Sequence, residues 1–595
     1  MSGEKLQSIY SERISHFTEA VRRHDRRINL ISLARLLSLV ALIWLLVIAI
    51  RSDAILFYLL PVLMLALFLY LISLFNRQRG ERELNRQLLL LNEKELACLD
   101  HDFHALPDGS EHADTSHPWS HDLDIFGTGS LYQYLNRSCT RKGSALLAAM
   151  LTSEAGSADN IRDRQEMITD LKGRIDFRQY FTATGELVRE KPGDLRDISR
   201  WLDTTAYISK YPWLLHLAVG IALLSCFLII WGIFDTSRYW YLLYLALLNF
   251  AILSPFLLRT QKYQEAISRK HELLEGYARL LKLIAGNTFT HPGLQNNSGK
   301  AREGMHRVMQ LSKLLRMFDQ RLNMLLGSIL NGLFLFDFIM LHLLERWKRK
   351  NRQDILEWIE LCGWTDAMIS LAGFAWNHPA FHMPEILEQS DDFLAEGLGH
   401  PLIPHRKRVV NDLEITRGKV IVITGANMAG KSTFLRSLGV NLVLSYAGCP
   451  VCATTFRSGY MSLYSSMRTA DSLKDEESYF LAEIRKLQSI VLEMEKARPM
   501  VILLDEVLKG TNTTDKKLGS VGLISKSLQY PVRLFIATHD LSLGELEREH
   551  GGLVVNYCFE SYIKDMELSF DYTIRKGIAT NMNASFLMKR MGIVD

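Results

Sequence analysis

Apolar positions along this chain gather into a few unbroken runs. Residues 31–50 (ISLARLLSLVALIWLLVIAI) and 54–75 (AILFYLLPVLMLALFLYLISLF) form the first pair. Each is about twenty residues long, enough at ~1.5 Å per residue to cross ~30 Å of hydrocarbon as a helix. Residues 213–234 (WLLHLAVGIALLSCFLIIWGIF) and 239–258 (YWYLLYLALLNFAILSPFLL) form a second pair. Its ends carry Trp and Tyr, whose amphipathic rings favour the membrane interface. The linkers 51–54 and 235–238 are too short to fold by themselves, so the pattern predicts two transmembrane hairpins, four spans in a lipid bilayer. A cleavable signal would have a shorter apolar core nearer Met1, so the first hairpin is expected to persist as an anchor. A fifth stretch, 324–344, contains Asn331, Asp337 and His342, each costly in lipid, and is read as a buried or interfacial helix.

Elsewhere the periodicity changes twice. Residues 100–210 and 260–395 carry a helical repeat with few Gly or Pro inside segments and are expected to be all-helical. After His400, β-branched runs such as 420–424 and 501–504 alternate with amphipathic segments, the texture of an α/β domain. The predicted fold is therefore multidomain. Residues 1–30 form an N-terminal segment, 31–75 the first hairpin, 76–212 a helical core or lever part, 213–258 the second hairpin, 259–397 a second lever part, and 398–595 an α/β domain.

Charge adds orientation. Arg22, Arg23, Arg26 and Arg27 precede the first span, Arg77, Arg79 and Arg82 follow the second, and Arg259 and Lys262 follow the fourth. Positive flanks mark the cytoplasmic side, so a multi-pass protein of the cytoplasmic (inner) membrane is expected, its folded parts inside. An odd fifth span would carry the C-terminal domain to the side opposite the basic N-terminus. The net charge of +4 is too small to imply a nucleic-acid partner. Basic clusters at 346–352 (RWKRKNR) and 405–408 (HRKR) suit DNA phosphates, but equally anionic lipid or a solvated surface, and no aromatic stacking platform accompanies them. Seven scattered cysteines fit a reducing compartment. Cys449 and Cys452 form a CxxC without a second ligand pair for zinc, and are read as small buried residues, with redox or metal chemistry as the alternative.

The chemistry concentrates in one motif. Gly425, Ala426, Asn427, Met428, Ala429, Gly430, Lys431 and Ser432 spell GxxxxGKS directly after a predicted strand and before a helical run from Thr433. Glycines let backbone N–H groups approach phosphates, and a helix N-terminus adds a favourable dipole. Lys431 reaches the β- and γ-phosphates and Ser432 a Mg²⁺ ion. About seventy residues on, an apolar strand ends in Asp505 and Glu506. The first suits the magnesium shell and the second activation of the attacking water. A third strand ends at His539, placed to sense the γ-phosphate.

These residues resemble the MutS mismatch-repair family. The 425–432 loop is similar to the family's GPNMGGKS, including Asn427-Met428. Residues 504–515 resemble MDEIGRGTSTYD, 537–539 resemble ATH, and 478–483 resemble STFMVEM. Residues 572–593 resemble the closing segment, which makes Tyr572 a candidate for stacking on adenine. Residues 130–149 and 160–171 resemble the start of the helical core, and 400–403 the entry to the ATPase, so about two-thirds of the chain is covered. The resemblance implies ATP and Mg²⁺ as cofactors and a homodimer with two composite sites, each completed in trans by Ser478 and the Asp515 loop. It also implies DNA as a partner. The chain departs from the family in having no room for a mismatch-binding domain. Phe17-Thr18-Glu19 matches a wedge tripeptide but sits beside a span and is read as coincidence. The second hairpin falls roughly where the family inserts its DNA clamp, so the levers are expected to run into the bilayer. Three readings stay open: a membrane-tethered MutS-like ATPase acting on DNA, a membrane motor or signalling ATPase that never touches it, and an ABC-type transporter, which lacks its LSGGQ signature here.

Overall fold

The structure, a computed structural model, describes residues 3–580 apart from 52–58, 155, 189, 206–207, 269, 389–391, 416–418, 469–478, 509–510 and 565–566. Gly3–Arg51 and Leu59–Leu99 are single helices of 49 and 41 residues. They run antiparallel: Arg82 pairs with Asp25 at 2.6 Å, His24 meets Gln78 at 2.9 Å, and Arg35 lies 4.6 Å over Phe75. The boundaries expected at 30/31 and 75/76 thus fall inside helices, because nothing in the flanking sequence breaks the helical repeat. The polar ends of this hairpin dock on the helical core. Tyr10 donates to Asn377 at 2.7 Å, and Asn92 exchanges bonds with Gln179. Phe17 is buried against Leu88 and Ala183, which fixes it as a packing residue.

Among the described residues four helices are long and apolar enough to cross a membrane: these two, Pro212–Phe234, and the run Thr236–Ile267, which passes through a 3-10 turn at Ser254–Phe256. Only 6 to 28% of their most apolar windows is buried inside the protein, so their leucines and aromatics face outward. The stretch 324–344 is not one helix. It divides into Met324–Phe334 and Phe336–Asn351, set at 88° about Leu335, which adopts a φ of 48°. The Asn331 side chain caps the second helix by accepting from Asp337 N–H at 2.9 Å.

The span 100–130 also departs from expectation. Among its described residues the helical content is one short turn, Ser110–His112. Gly109, Gly127 and Gly129 take positive φ there, and Pro107 and Pro118 interrupt any longer helix. This irregular segment binds the C-terminal unit through Asp122, which is wholly buried. Its carboxylate accepts from Ser465 Oγ at 2.7 Å, Lys486 Nζ at 2.7 Å and Arg468 N–H at 3.0 Å.

Among the described residues ten strands build two sheets: β1 (Glu385–Leu387), β2 (Phe393–Leu398), β3 (Asn411–Ile415), β4 (Val420–Gly425), β5 (Thr455–Gly459), β6 (Ser462–Ser466), β7 (Met500–Asp505), β8 (Val532–Thr538), β9 (Val554–Lys564) and β10 (Glu567–Lys576). The smaller has the order β1-β5-β2-β3, the larger β10-β9-β4-β8-β7-β6. In the larger, β9, β4, β8, β7 and β6 run parallel, and β10 closes the edge antiparallel. Because β1 and β2 pair with β5 and β3, the boundary expected at 397/398 falls within β2 and the strands begin at Glu385. A parallel sheet is covered on both faces, which explains its unbroken apolar strands. Ile421, Ile423, Leu503 and Phe535 point into a core continuous with the helical part, while Val420, Val422, Ile502 and Leu534 face the helices Tyr479–Met494 and Thr513–Ser527.

The helix Asp354–Asn377 runs through that shared core. Its Asp366 is wholly buried and accepts from Thr140 N–H at 2.8 Å, Thr140 Oγ at 2.7 Å and Cys139 N–H at 3.1 Å. Burial outweighs these bonds and pushes its carboxyl up to about 6. The folded protein then holds this proton to higher pH than the unfolded chain. The Asp366 contribution is most favourable below the unfolded value of 3.8 and declines as pH rises through about 6. Asp366→Asn cannot ionise. The thermal midpoint of the wild type relative to this variant should therefore rise between pH 7 and pH 5, and a pH-independent difference would contradict the burial argument.

Candidate nucleotide site

β4 ends at Gly425 with φ 148°, and a Cβ there would meet the Phe559 carbonyl oxygen at 2.6 Å, so the turn excludes other residues. Residues 426–429 arch outward, with Met428 at φ 68° and exposed. Gly430, at φ 110°, starts the helix Lys431–Tyr446. Among the described residues no side chain caps its first turn, which leaves backbone N–H groups available to an anion. The Lys431 side chain is buried, and its ammonium donates to the carbonyls of Gly425 at 2.7 Å and Ala426 at 2.9 Å.

A cavity of about 500 Å³ opens on this loop. Asn427, Met428, Gly430, Lys431, Ser432 and Thr433 line one side, and Glu506, His400, Phe559 and Tyr572 the others. Tyr572 reaches it through a bulge. Pairing of β10 with β9 shifts register between Phe570 and Ile574, and Tyr572 takes φ 55°. Asn411 of β3 holds the bulge, donating to the Tyr572 carbonyl at 3.1 Å and accepting from Ile574 N–H at 2.7 Å. The Tyr572 ring then lies so close to Gly430 that a Cβ there would touch it at 3.2 Å. His400 accepts from Leu402 N–H at Nδ1, 3.3 Å away. Burial, then Arg436 and Arg408, depresses its pKa to about 4, so it faces the cavity uncharged at neutral pH.

Asp505 and Glu506 follow from β7. The Asp505 Oδ1 atom is buried and has no hydrogen-bond partner among the described residues. Glu506 takes φ 51°, donates its N–H to the Ala537 carbonyl at 2.9 Å, and holds Oε1 3.6 Å from His539 Nδ1. Leu508 is also at positive φ, 60°, and its N–H is held at 2.6 Å by the buried carboxylate of Glu483. Glu483 lies on Tyr479–Met494, so this helix fixes the loop that aims Glu506.

The structure therefore brings the loop, Lys431, Ser432, Thr433, Glu506 and Tyr572 around one cavity, with Asp505 beside it and His539 reaching it through Glu506. Asp515 does not join them. It is exposed in the first turn of Thr513–Ser527, where Asn512 Nδ2 donates to it at 2.8 Å. Ser478 lies outside the described residues. No local motif marks Asn411 or Phe559, Glu483 closes the 478–483 motif without its spacing revealing a contact with the Glu506 loop, and His400 stands in the sequence only as the entry to the domain.

Magnesium fits these residues. Hard cations take oxygen ligands and keep several waters, and an unpartnered buried carboxylate oxygen beside a cavity with a serine hydroxyl is such a donor set. Cys449 and Cys452 are buried free thiols pushed up by burial, and Cys452 N–H donates to Asn441 at 2.7 Å, so the pair packs the turn after the loop helix. Both basic clusters are partly committed inside the protein. Arg408 donates to the carbonyls of Pro401 and Ile403, Lys348 to those of Trp201 and Thr204, and Arg352 pairs with Asp203.

Residues 421–589 match the family model of MutS domain V. The C-terminal unit is similar to that domain. The DNA mismatch repair protein MutS of Aquifex pyrophilus is 31% identical over 240 residues, 40% of this chain and 28% of that protein. MutS of Persephonella marina is 30% identical over 244 residues, 39% and 27% of the two chains. The DNA mismatch repair protein MSH3 of Meyerozyma guilliermondii is 27% identical over 251 residues, 40% and 26%. The matched stretch thus spans little more than a quarter of these relatives, all of it within the MutS domain V-like unit and its approach.

If Glu506 activates water, Glu506→Gln should lower the ATP turnover number on the order of 100-fold or more while nucleotide affinity stays nearly unchanged. Turnover equal to wild type would remove Glu506 from the chemistry.

Proposed function

We propose that this chain is a membrane-anchored ATPase of MutS type that hydrolyses Mg²⁺-ATP at composite sites of a homodimer and couples that cycle to DNA. The observation that carries the reading is the cavity in which Lys431, Glu506 and Tyr572 converge, inside a stretch matching MutS domain V. Incoming phosphates compete with the Gly425 and Ala426 carbonyls for the Lys431 ammonium, and the uncapped helix start receives them. Ser432 and Asp505 would hold magnesium, which when bound offsets phosphate charge. Glu506, steadied by Ala537 and Glu483, polarises water, and His539 beside it senses the γ-phosphate. Tyr572 stacks on the base. Asp515 faces away from its own cavity, as suits a residue serving a partner's site, and Ser478 is assigned the same role by resemblance.

The four outward-facing apolar helices support the anchor, and the arginine flanks favour an ATPase domain on the cytoplasmic side of the inner membrane. DNA as partner is extended from the relatives, whose names carry mismatch repair. A second reading, a membrane motor that does not bind DNA, is favoured by the internal bonds of Lys348, Arg352 and Arg408.

DNA binding by the detergent-solubilised protein separates the two. The first reading expects affinity that falls steeply between about 50 and 200 mM salt, changes with ATP, and accompanies faster hydrolysis on paired or mispaired duplex. Absence of binding at low salt, with hydrolysis indifferent to either duplex, would overturn it in favour of the second.

A further inference from the structure

We propose that Met324–Phe334 is a re-entrant half-helix seated in the hydrocarbon of the bilayer beside the second hairpin, with lipid acyl chains covering its outer face. The inference rests on the membrane reading above and adds an element that the four spans do not include. Its outer face is apolar and uncovered: Met324, Leu325 and Ile329 are 86, 78 and 55% exposed. Its inner face fits the hairpin closely. At Gly332 a Cβ would meet Ala246 at 3.3 Å and the Phe250 ring at 3.4 Å.

The break at Leu335 decides the environment. A helix that ends releases backbone carbonyls, which water satisfies at a protein surface but which need protein donors in lipid. Here the Gly332 carbonyl accepts from Asn249 Nδ2 at 2.6 Å and the Leu333 carbonyl from Ser225 Oγ at 2.5 Å. Both donors are wholly buried and project from the apolar helices Trp240–Leu253 and Pro212–Phe234. Polar side chains inside spans are costly, and these two are placed on the released carbonyls. Ser225 lies on the order of 20 Å along its helix from Pro212 at ~1.5 Å per residue, so the break sits about two-thirds of the way along a path of ~30 Å through hydrocarbon, inside it and short of the far side.

The element does not cross. Before it, Arg321 bonds Gln264, which follows the last span on Leu257–Ile267. After it, Glu345 accepts from the N–H groups of Ile208 at 3.0 Å and Ser209 at 2.7 Å, immediately before Pro212. Both flanks therefore return to the end of the second hairpin where its chain enters and leaves. At the bend Arg321 also pairs with Asp337 at 3.0 Å, which compensates the carboxylate that argued against a fifth span.

The test places a bimane fluorophore on single cysteines in the full chain reconstituted in phosphatidylcholine vesicles, with the exposed Cys226 replaced by serine. Leu325→Cys and Ile329→Cys report the new element, and Leu223→Cys reports the second hairpin. Doxyl-labelled lipid should quench the two new positions to within about twofold of the Leu223 position, with aqueous iodide nearly ineffective at all three. Lipid quenching at Leu223 combined with iodide quenching at Leu325 and Ile329 would overturn the re-entrant assignment and leave the anchor standing. Protection from both quenchers would show a second copy covering the face and would equally overturn it. Loss of lipid quenching at Leu223 would remove the membrane reading itself.

Discussion

A buried ammonium needs compensation, and the structure supplies it to Lys431 from two carbonyls of its own loop. That arrangement keeps a positive charge poised at the mouth of a helix whose first N–H groups have no side-chain cap among the described residues. Around it everything else is arranged by backbone constraint. Gly425 and Gly430 let the loop pass Phe559 and Tyr572 without collision, and the positive φ of Glu506 and Leu508 turns a carboxylate into the cavity. A phosphate-sized anion is the natural replacement for carbonyls that otherwise hold the cation in place.

The same unit is tied to the rest of the chain by buried polar contacts. Glu483 fixes the Glu506 loop from one helix, and Lys486 on that helix meets Asp122 from the irregular segment before the core. Asp122 also holds the end of β6, and the neighbouring Asp124 pairs with Arg436 on the loop helix. The Tyr479–Met494 helix thereby contacts both the loop that carries Glu506 and the irregular segment before the core. The helix Pro292–Phe318 then leads directly into the bent pair packed on the second hairpin. A contiguous set of packed elements thus joins the cavity at the 425–432 loop to the apolar helices, a route along which coupling can pass.

Much of this was legible because its physics is local. Apolar run length marked the long helices, and glycine spacing with a following lysine marked the loop at 425–432. Two carboxylates after an apolar strand marked Asp505 and Glu506. What escaped depended on partners distant in sequence. Asn411 acts on the bulge at Tyr572 and Asp122 on three groups more than three hundred residues away, neither with a spacing to betray it, and the 478–483 motif contains Glu483 without showing that it holds Leu508. The bend at Leu335 was hidden because the donors that satisfy it, Ser225 and Asn249, lie in other helices. Residues 100–130 depart from the helical repeat that the sequence suggests because Pro107, Pro118 and the positive-φ glycines interrupt it.

The central claim is that phosphate replaces the loop carbonyls on Lys431. Calorimetric titration of the detergent-solubilised chain with a non-hydrolysable ATP analogue and Mg²⁺, compared with Lys431→Met, tests it directly. The account predicts binding of one nucleotide per chain, weakened about 100-fold or more in the variant through loss of a charge-assisted contact. Equal affinity in the two proteins, or no binding to the wild type, would contradict it.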